Sequence, residues 1–348
     1  MSKAIKPKIL LIYTGGTIGM VKDSKNGALK AFNFDNLLRR IPEIKLLDCF
    51  IDTISFNTPI DSSNVIPENW VEMAEIIENH YDEYDGFVIL HGSDTMSYSA
   101  SALSFMLENL WKPVIFTGSQ LPIGDLRTDA KENLITSIQI AALQNNNTPV
   151  IKEVGLYFEY KLYRGNRTTK INAEHFSAFR SFNYPKLIES GVYLDISWPY
   201  LLNPIENKDF KVHKAFCEDV IIVKLFPGIQ REVLEPLFSI TKIKGIIIET
   251  FGSGNTVTAA WFNEVIRNTI ARGVYVINVT QCAKGRVKMG QYETSTHLKA
   301  LGVISAADMT SEAAVTKLMF LLKKTSSALE FKQLYQCSLR GELTEEST

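Results

Sequence analysis

The chain of 348 residues is 45% hydrophobic and 22% charged, with a formal net charge of −1 at pH 7. So neutral a balance leaves no basic footprint for nucleic acid and no polybasic patch for a membrane surface. No apolar run approaches the roughly 18 residues of a membrane span, and the length predicts about two domains, each burying its own core.

Four scattered cysteines (Cys49, Cys217, Cys282, Cys337) and five dispersed histidines form no C-x-x-C or H-E-x-x-H spacing. Reduced thiols, no metal and no cofactor are therefore expected. The apolar run in MSKAIKPKILLIY is too short for a signal-peptide core and reads as a first strand, so the cytoplasm is the expected location.

In chain order, KILLIYTGGTIGM (8–20) predicts a buried strand followed by a Gly-rich turn with two hydroxyls, Thr14 and Thr17. In an open α/β sheet this turn stands at the carboxyl edge, where ligands bind. Gly15, Gly16 and Gly19 do not fit G-x-G-x-x-G, and no G-K-[ST] follows, so both nucleotide fingerprints are absent. Residues 21–34 read as a loop or lid and 44–56 as extended. The short polar cluster 57–64 is turn chemistry, in which Ser62 or Ser63 caps a helix beginning near Pro67.

GFVIL (86–90) is the next buried strand, running into His91-Gly92-Ser93-Asp94-Thr95-Met96. Met96, Ala100, Leu103, Leu107 and Leu110 share one helical face. Asp94 can serve there as a helix cap or as a catalytic carboxylate. A third strand (113–117) ends in Gly118-Ser119-Gln120. A loop (121–129), a helix (133–142) and a strand (150–159) follow, and the polar run 163–170 reads as a solvated face. From 219 a second α/β run has strands at 219–225, 243–250 and 273–280, with helices near 229–239, 257–271 and 310–324. The predicted fold is two-domain α/β. It has a larger, doubly wound, mostly parallel N-terminal domain (1–197), a linker (198–217) and a smaller C-terminal α/β domain (218–348).

Thr17, Ser93, Asp94 and Lys170 are the candidates at the strand ends, and no histidine stands where a Ser-His-Asp triad would need it. A hydroxyl can instead be served by a buried lysine oriented by a carboxylate, with main-chain N–H groups of a Gly-rich turn facing a developing oxyanion. That set suits acyl transfer from a small amide or ester without a cofactor.

Thr14-Gly15-Gly16-Thr17-Ile18-Gly19 and His91-Gly92-Ser93-Asp94-Thr95-Met96 resemble the two signature motifs of the bacterial asparaginase/glutaminase family. The resemblance extends to Gly118-Ser119-Gln120, Asn166-Arg167-Thr168-Thr169-Lys170 and Thr280-Gln281-Cys282, nearly the whole chain, and is nearest the cytoplasmic type I branch. It implies hydrolysis of L-asparagine to L-aspartate and ammonia in a homotetramer built as a dimer of dimers. It also implies Thr17 as nucleophile and Ser93, Asp94 and Lys170 as a second proton-moving group. Asp61, Ser62, Ser63, Ser93, Asp94 and Ser119 would bind substrate, with the Asp94 carboxylate on its ammonium.

Two departures stand out. The family usually carries HGTDT, and here Ser93 keeps the hydroxyl but lacks the methyl. Many members carry a lid tyrosine, whereas residues 21–34 hold none and Ala28 takes its place. Tyr292 resembles a tyrosine that some type I members bring across the dimer interface, and Cys282 lies where type I enzymes resemble one another around a regulatory asparagine site. A mixed glutaminase-asparaginase, another small-amide hydrolase and a catalytically silent amino-acid-binding module are the competing expectations. One methylene is worth only about 1–3 kcal/mol in a pocket.

Overall fold

A computed structural model describes residues 6–22, 29–31, 41–205, 208–290 and 293–345. The chain divides into two compact units, 1–214 and 215–348, each with a hydrophobic core of its own.

The first unit is built on eight strands: β1 (Lys8–Gly15), β2 (Phe50–Ile60), β3 (Gly86–Leu90), β4 (Val114–Thr117), β5 (Val154–Phe158), β6 (Lys161–Arg164), β7 (Ile188–Ser190) and β8 (Leu194–Ile196). Their order is β8-β7-β6-β5-β4-β3-β1-β2. The pairs from β2 to β5 are parallel and those from β5 to β8 antiparallel. Every residue of β3, β4 and β5 is buried. Their apolar sequences lack alternation because parallel strands are covered on both faces. Helices α1 (Pro67–Asn79), α2 (Met96–Met106) and α3 (Ala130–Ala141) complete the unit. α2 packs on β4 and β5, and α3 on β3, β4 and β5.

The second unit holds a parallel sheet, β9 (Val220–Lys224), β10 (Gly245–Thr250), β11 (Tyr275–Thr280) and β12 (Ile304–Ser305), in sequence order. Helices α4 (Arg231–Phe238), α5 (Ala260–Ala271), α6 (Glu293–Leu301), α7 (Ser311–Lys324) and α8 (Ala328–Gln336) accompany it. Among the described residues no helix is long and apolar enough to cross a membrane.

Several local expectations are revised. The helix from Met96 stops at Met106 rather than running to Leu110, because Leu107–Glu108 pairs antiparallel with Lys211–Val212. His213 N donates to Met106 O, and Phe210 stacks on Tyr81 with ring centroids 3.8 Å apart. Chain 198–214, within the expected linker, thus belongs to the first unit. The extended stretch expected from residue 44 begins at Phe50, since Pro42–Leu46 closes into a 3-10 turn. Neither Ser62 nor Ser63 caps α1, and Asn69 Oδ1 accepts instead from Ile66 N at 3.0 Å. The polar run 163–170 is not a solvated face: residues 163–168 are buried. Within the expected lid, Met20–Lys22 and Leu29–Ala31 pair antiparallel, and Ala28 lies outside the described residues.

Candidate active site

Three turns at the carboxyl ends of β1, β2 and β3 meet so closely that Gly16 and Gly92 have no room for a Cβ. Gly16, at φ +86°, lies against the β3 turn, where an added Cβ would stand 2.5 Å from Gly92 N. A Cβ on Gly92 would stand 2.5 Å from Ser62 Oγ. Glycine therefore sets both the φ and the approach distance. Gly16 N also donates to Ile60 O at 3.2 Å, and Thr14 Oγ1 to Leu90 O at 2.9 Å. Thr14 is thus a buried tie between β1 and β3. Thr17, opening the turn Thr17–Gly19, is half-exposed at the junction.

Ser93, Asp94 and Lys170, distant in sequence, come together. Lys170 Nζ donates to Ser93 Oγ at 2.8 Å and Asp94 Oδ1 at 2.6 Å. The lysine side chain is 18% exposed and the aspartate 63%, so one end of the pair is sheltered and the other open. Pairing of Thr169–Lys170 with Phe179–Arg180 fixes the lysine backbone. Asp94 does not cap α2, whose first turn has no side-chain cap. Its carboxylate faces the lysine.

Ser62 is buried, its hydroxyl accepting from Asp94 N at 3.3 Å and its carbonyl from Thr95 Oγ1 at 2.7 Å. Asp61 and Ser63 are exposed, and Asp61 Oδ1 accepts from the Ser63 N–H at 3.0 Å and hydroxyl at 2.9 Å. This small turn thus presents a carboxylate to solvent beside the Ser93 turn. Ser119 is buried, its hydroxyl donating to Leu121 O at 2.6 Å.

Two supporting residues were not singled out from the sequence. Gln120 accepts from Ser93 Oγ at 3.2 Å. Its backbone N–H reaches the carboxylate of Asp129, a group that burial pushes up and that the amides of Gln120 and Leu121 pull back. His91 is fully enclosed, and burial lowers it to about 4. Its Nε2 lies 2.9 Å from Ser99 Oγ, facing away from any triad geometry with Ser93. The signal for Gln120 was the Gly118-Ser119-Gln120 motif. For His91 it was the strand end itself.

Tyr292 lies outside the described residues. Cys282 is exposed in the second unit, its N–H donating to Thr280 Oγ1 at 3.0 Å, and all four cysteines are free thiols. Among the described residues no three His, Cys, Asp or Glu gather to hold a metal ion.

Against known proteins, residues 8–201 match the family described as Asparaginase, N-terminal, and residues 219–335 the Glutaminase/Asparaginase C-terminal domain. L-asparaginase 1 of Escherichia coli (strain K12) is 42% identical over 341 residues, 97% of this chain and 98% of its own. A 60 kDa lysophospholipase of Mus musculus is 37% identical over 370 residues, 99% of this chain and 64% of its own. The crystal structure of L-asparaginase I from Vibrio cholerae superposes with a TM-score of 0.89 at 40% identity, covering 98% of this chain and all of that one.

Proposed function

The chain belongs to the asparaginase family, and we propose that it is an L-asparagine amidohydrolase working through a threonine-linked acyl-enzyme. The observation that carries this reading is the Lys170–Ser93–Asp94 cluster, sheltered at the lysine and open at the aspartate, joined through the Gly16–Gly92 contact to the turn that bears Thr17.

Thr17 Oγ1 attacks the side-chain amide carbon, and the amide nitrogen leaves as ammonia after taking a proton. The β-aspartyl ester that remains is attacked by water, which releases L-aspartate and restores the hydroxyl. Amides of the Gly-rich turn suit the oxyanion. Ser93 and Lys170 hold and pass the protons, while the Asp61 and Asp94 carboxylates meet the substrate ammonium. Ser62 and Ser63 hold the turn that binds the α-carboxylate, with Ser119 behind it. Tyr292 supplies the hydroxyl that the lid lacks. A cytoplasmic homotetramer with a regulatory asparagine site near Cys282 completes the reading, on the strength of the type I resemblance.

Ammonia release from L-asparagine and L-glutamine, over a concentration series, tests it. Turnover of asparagine should fall at least about 10³-fold in Thr17→Ala. Equal turnover of glutamine would favour a mixed enzyme, and calorimetric binding without turnover would favour a silent binding module.

A further inference from the structure

We propose that Gln120 is a positioning residue for the Ser93 hydroxyl, an inference that rests on the amidohydrolase reading. Bond directions follow from what each group can offer. Gln120 Nε2 faces two backbone carbonyls, His175 O at 3.0 Å and Asn172 O at 3.5 Å. Only the NH2 end of an amide can serve carbonyls, so Oε1 is the end turned to Ser93. Oε1 offers lone pairs alone, so Ser93 donates its hydroxyl hydrogen across the 3.2 Å contact. Lys170 Nζ, which has only donors, meets the Ser93 oxygen at 2.8 Å. The hydroxyl is thus held with its hydrogen toward Gln120 and its oxygen toward the ammonium.

A serine needs such a hold more than a threonine does. Without a γ-methyl its χ1 has three staggered wells within reach, whereas a β-branched side chain is stiff. Rotation into another well would carry Oγ away from Lys170 Nζ and leave the lysine to Asp94. Gln120 supplies by a hydrogen bond the restraint that branching supplies by shape. It is anchored independently of its side chain, because its backbone N–H donates to both oxygens of Asp129 at 3.1 and 3.0 Å. Truncating the amide therefore frees the Ser93 hydroxyl with the Gln120 backbone still anchored, while also giving up the bonds to Asn172 O and His175 O.

Kinetics of ammonia release from L-asparagine by Gln120→Met, in the parent and in a Ser93→Thr background, test the assignment. In the parent, kcat should fall roughly 10- to 100-fold with KM changed less than about threefold. In the Ser93→Thr background the penalty for losing Gln120 should shrink at least about threefold, because the two restraints substitute for each other. If Gln120→Met does not fold, Gln120→Asn, which withdraws the amide by one methylene, serves the same comparison. An equal penalty in both backgrounds, or a raised KM at unchanged kcat, would overturn the role. A parent that releases no ammonia from either amide overturns the hydrolase reading and this inference together, before any variant is compared.

Discussion

The hydrogen bonds around His91 favour the neutral ring. Trp70 Nε1–H can only donate and does so to Ser99 Oγ at 3.0 Å, so the serine hydrogen is left for His91 Nε2. Nδ1 then carries the ring hydrogen and donates to Gly92 O at 2.7 Å, holding the peptide just before Ser93. A second ring proton would turn Ser99 Oγ from donor to acceptor and displace its hydroxyl hydrogen from this contact, and burial lowers the group to about 4. The unfolded chain takes up this proton near 6.5, so between 6.5 and 4 it binds more protons than the folded one. Stability from this group is complete above 6.5 and declines as pH falls toward 4, by about 1.4 kcal/mol per pH unit. Urea unfolding across that range should show the slope, and His91→Gln should flatten it. The His91 ring resonances should not titrate above pH 5, and a midpoint near 6.5 would refute the account.

At the scale of elements, the segment from β6 to Lys170 shows what charge patterning hides. Arg164 and Arg167 are 3% and 2% exposed. Burial works against the Arg164 charge, but Glu153 outweighs it through Nε–Oε2 at 2.6 Å and raises the guanidinium above its usual value. Both guanidiniums lie over the Tyr184 ring, at 4.3 and 5.1 Å. Removing one partner of such a buried pair leaves an uncompensated charge, so Glu153→Gln should cost about 3–5 kcal/mol in chemical denaturation. Glu153→Leu combined with Arg164→Met should recover most of that, and a still greater loss in the double variant would argue against a charge penalty. The buried strands of the first unit were legible because an apolar run in a parallel sheet reads the same everywhere. The arginines were not, because charged residues are mostly exposed and their partners Glu153 and Tyr184 become neighbours only once β5, β6 and the following chain are folded. The cluster of Ser93, Asp94 and Lys170 was legible from chemistry. Gln120 as its support was not, since the direction of a hydroxyl is a property of three-dimensional surroundings.

In the whole molecule, two separate cores mean that each unit must secure its own ends. The second does so through Lys317 and Glu342, a fully buried ion pair near the end of the chain. Lys317 Nζ also donates to Tyr335 O at 2.9 Å and Cys337 O at 2.6 Å, and Glu342 accepts from the backbone of Leu339 and Arg340. The segment after α8 is thereby fastened to α7, which packs on β9 and β10. Burial pushes the Glu342 carboxyl up, but Lys317 and the two amides outweigh it and hold the group below the usual carboxylate range. A depressed carboxylate contributes stability that is present above its unfolded value near 4.3. That contribution is lost as pH falls through the folded value. Glu342→Gln should remove about 3–5 kcal/mol from the second unit at neutral pH by leaving the Lys317 charge unpaired. Hydrogen exchange separates that loss from a general one, since amides of α7 and β10 should exchange at least about a hundredfold faster. Those of β3 and β4, in the other core, should keep their protection. Equal acceleration in both units would mean that the cores unfold as one, and unchanged exchange in α7 would mean that the ion pair only decorates a tail already held by the packing of Phe331 and Tyr335.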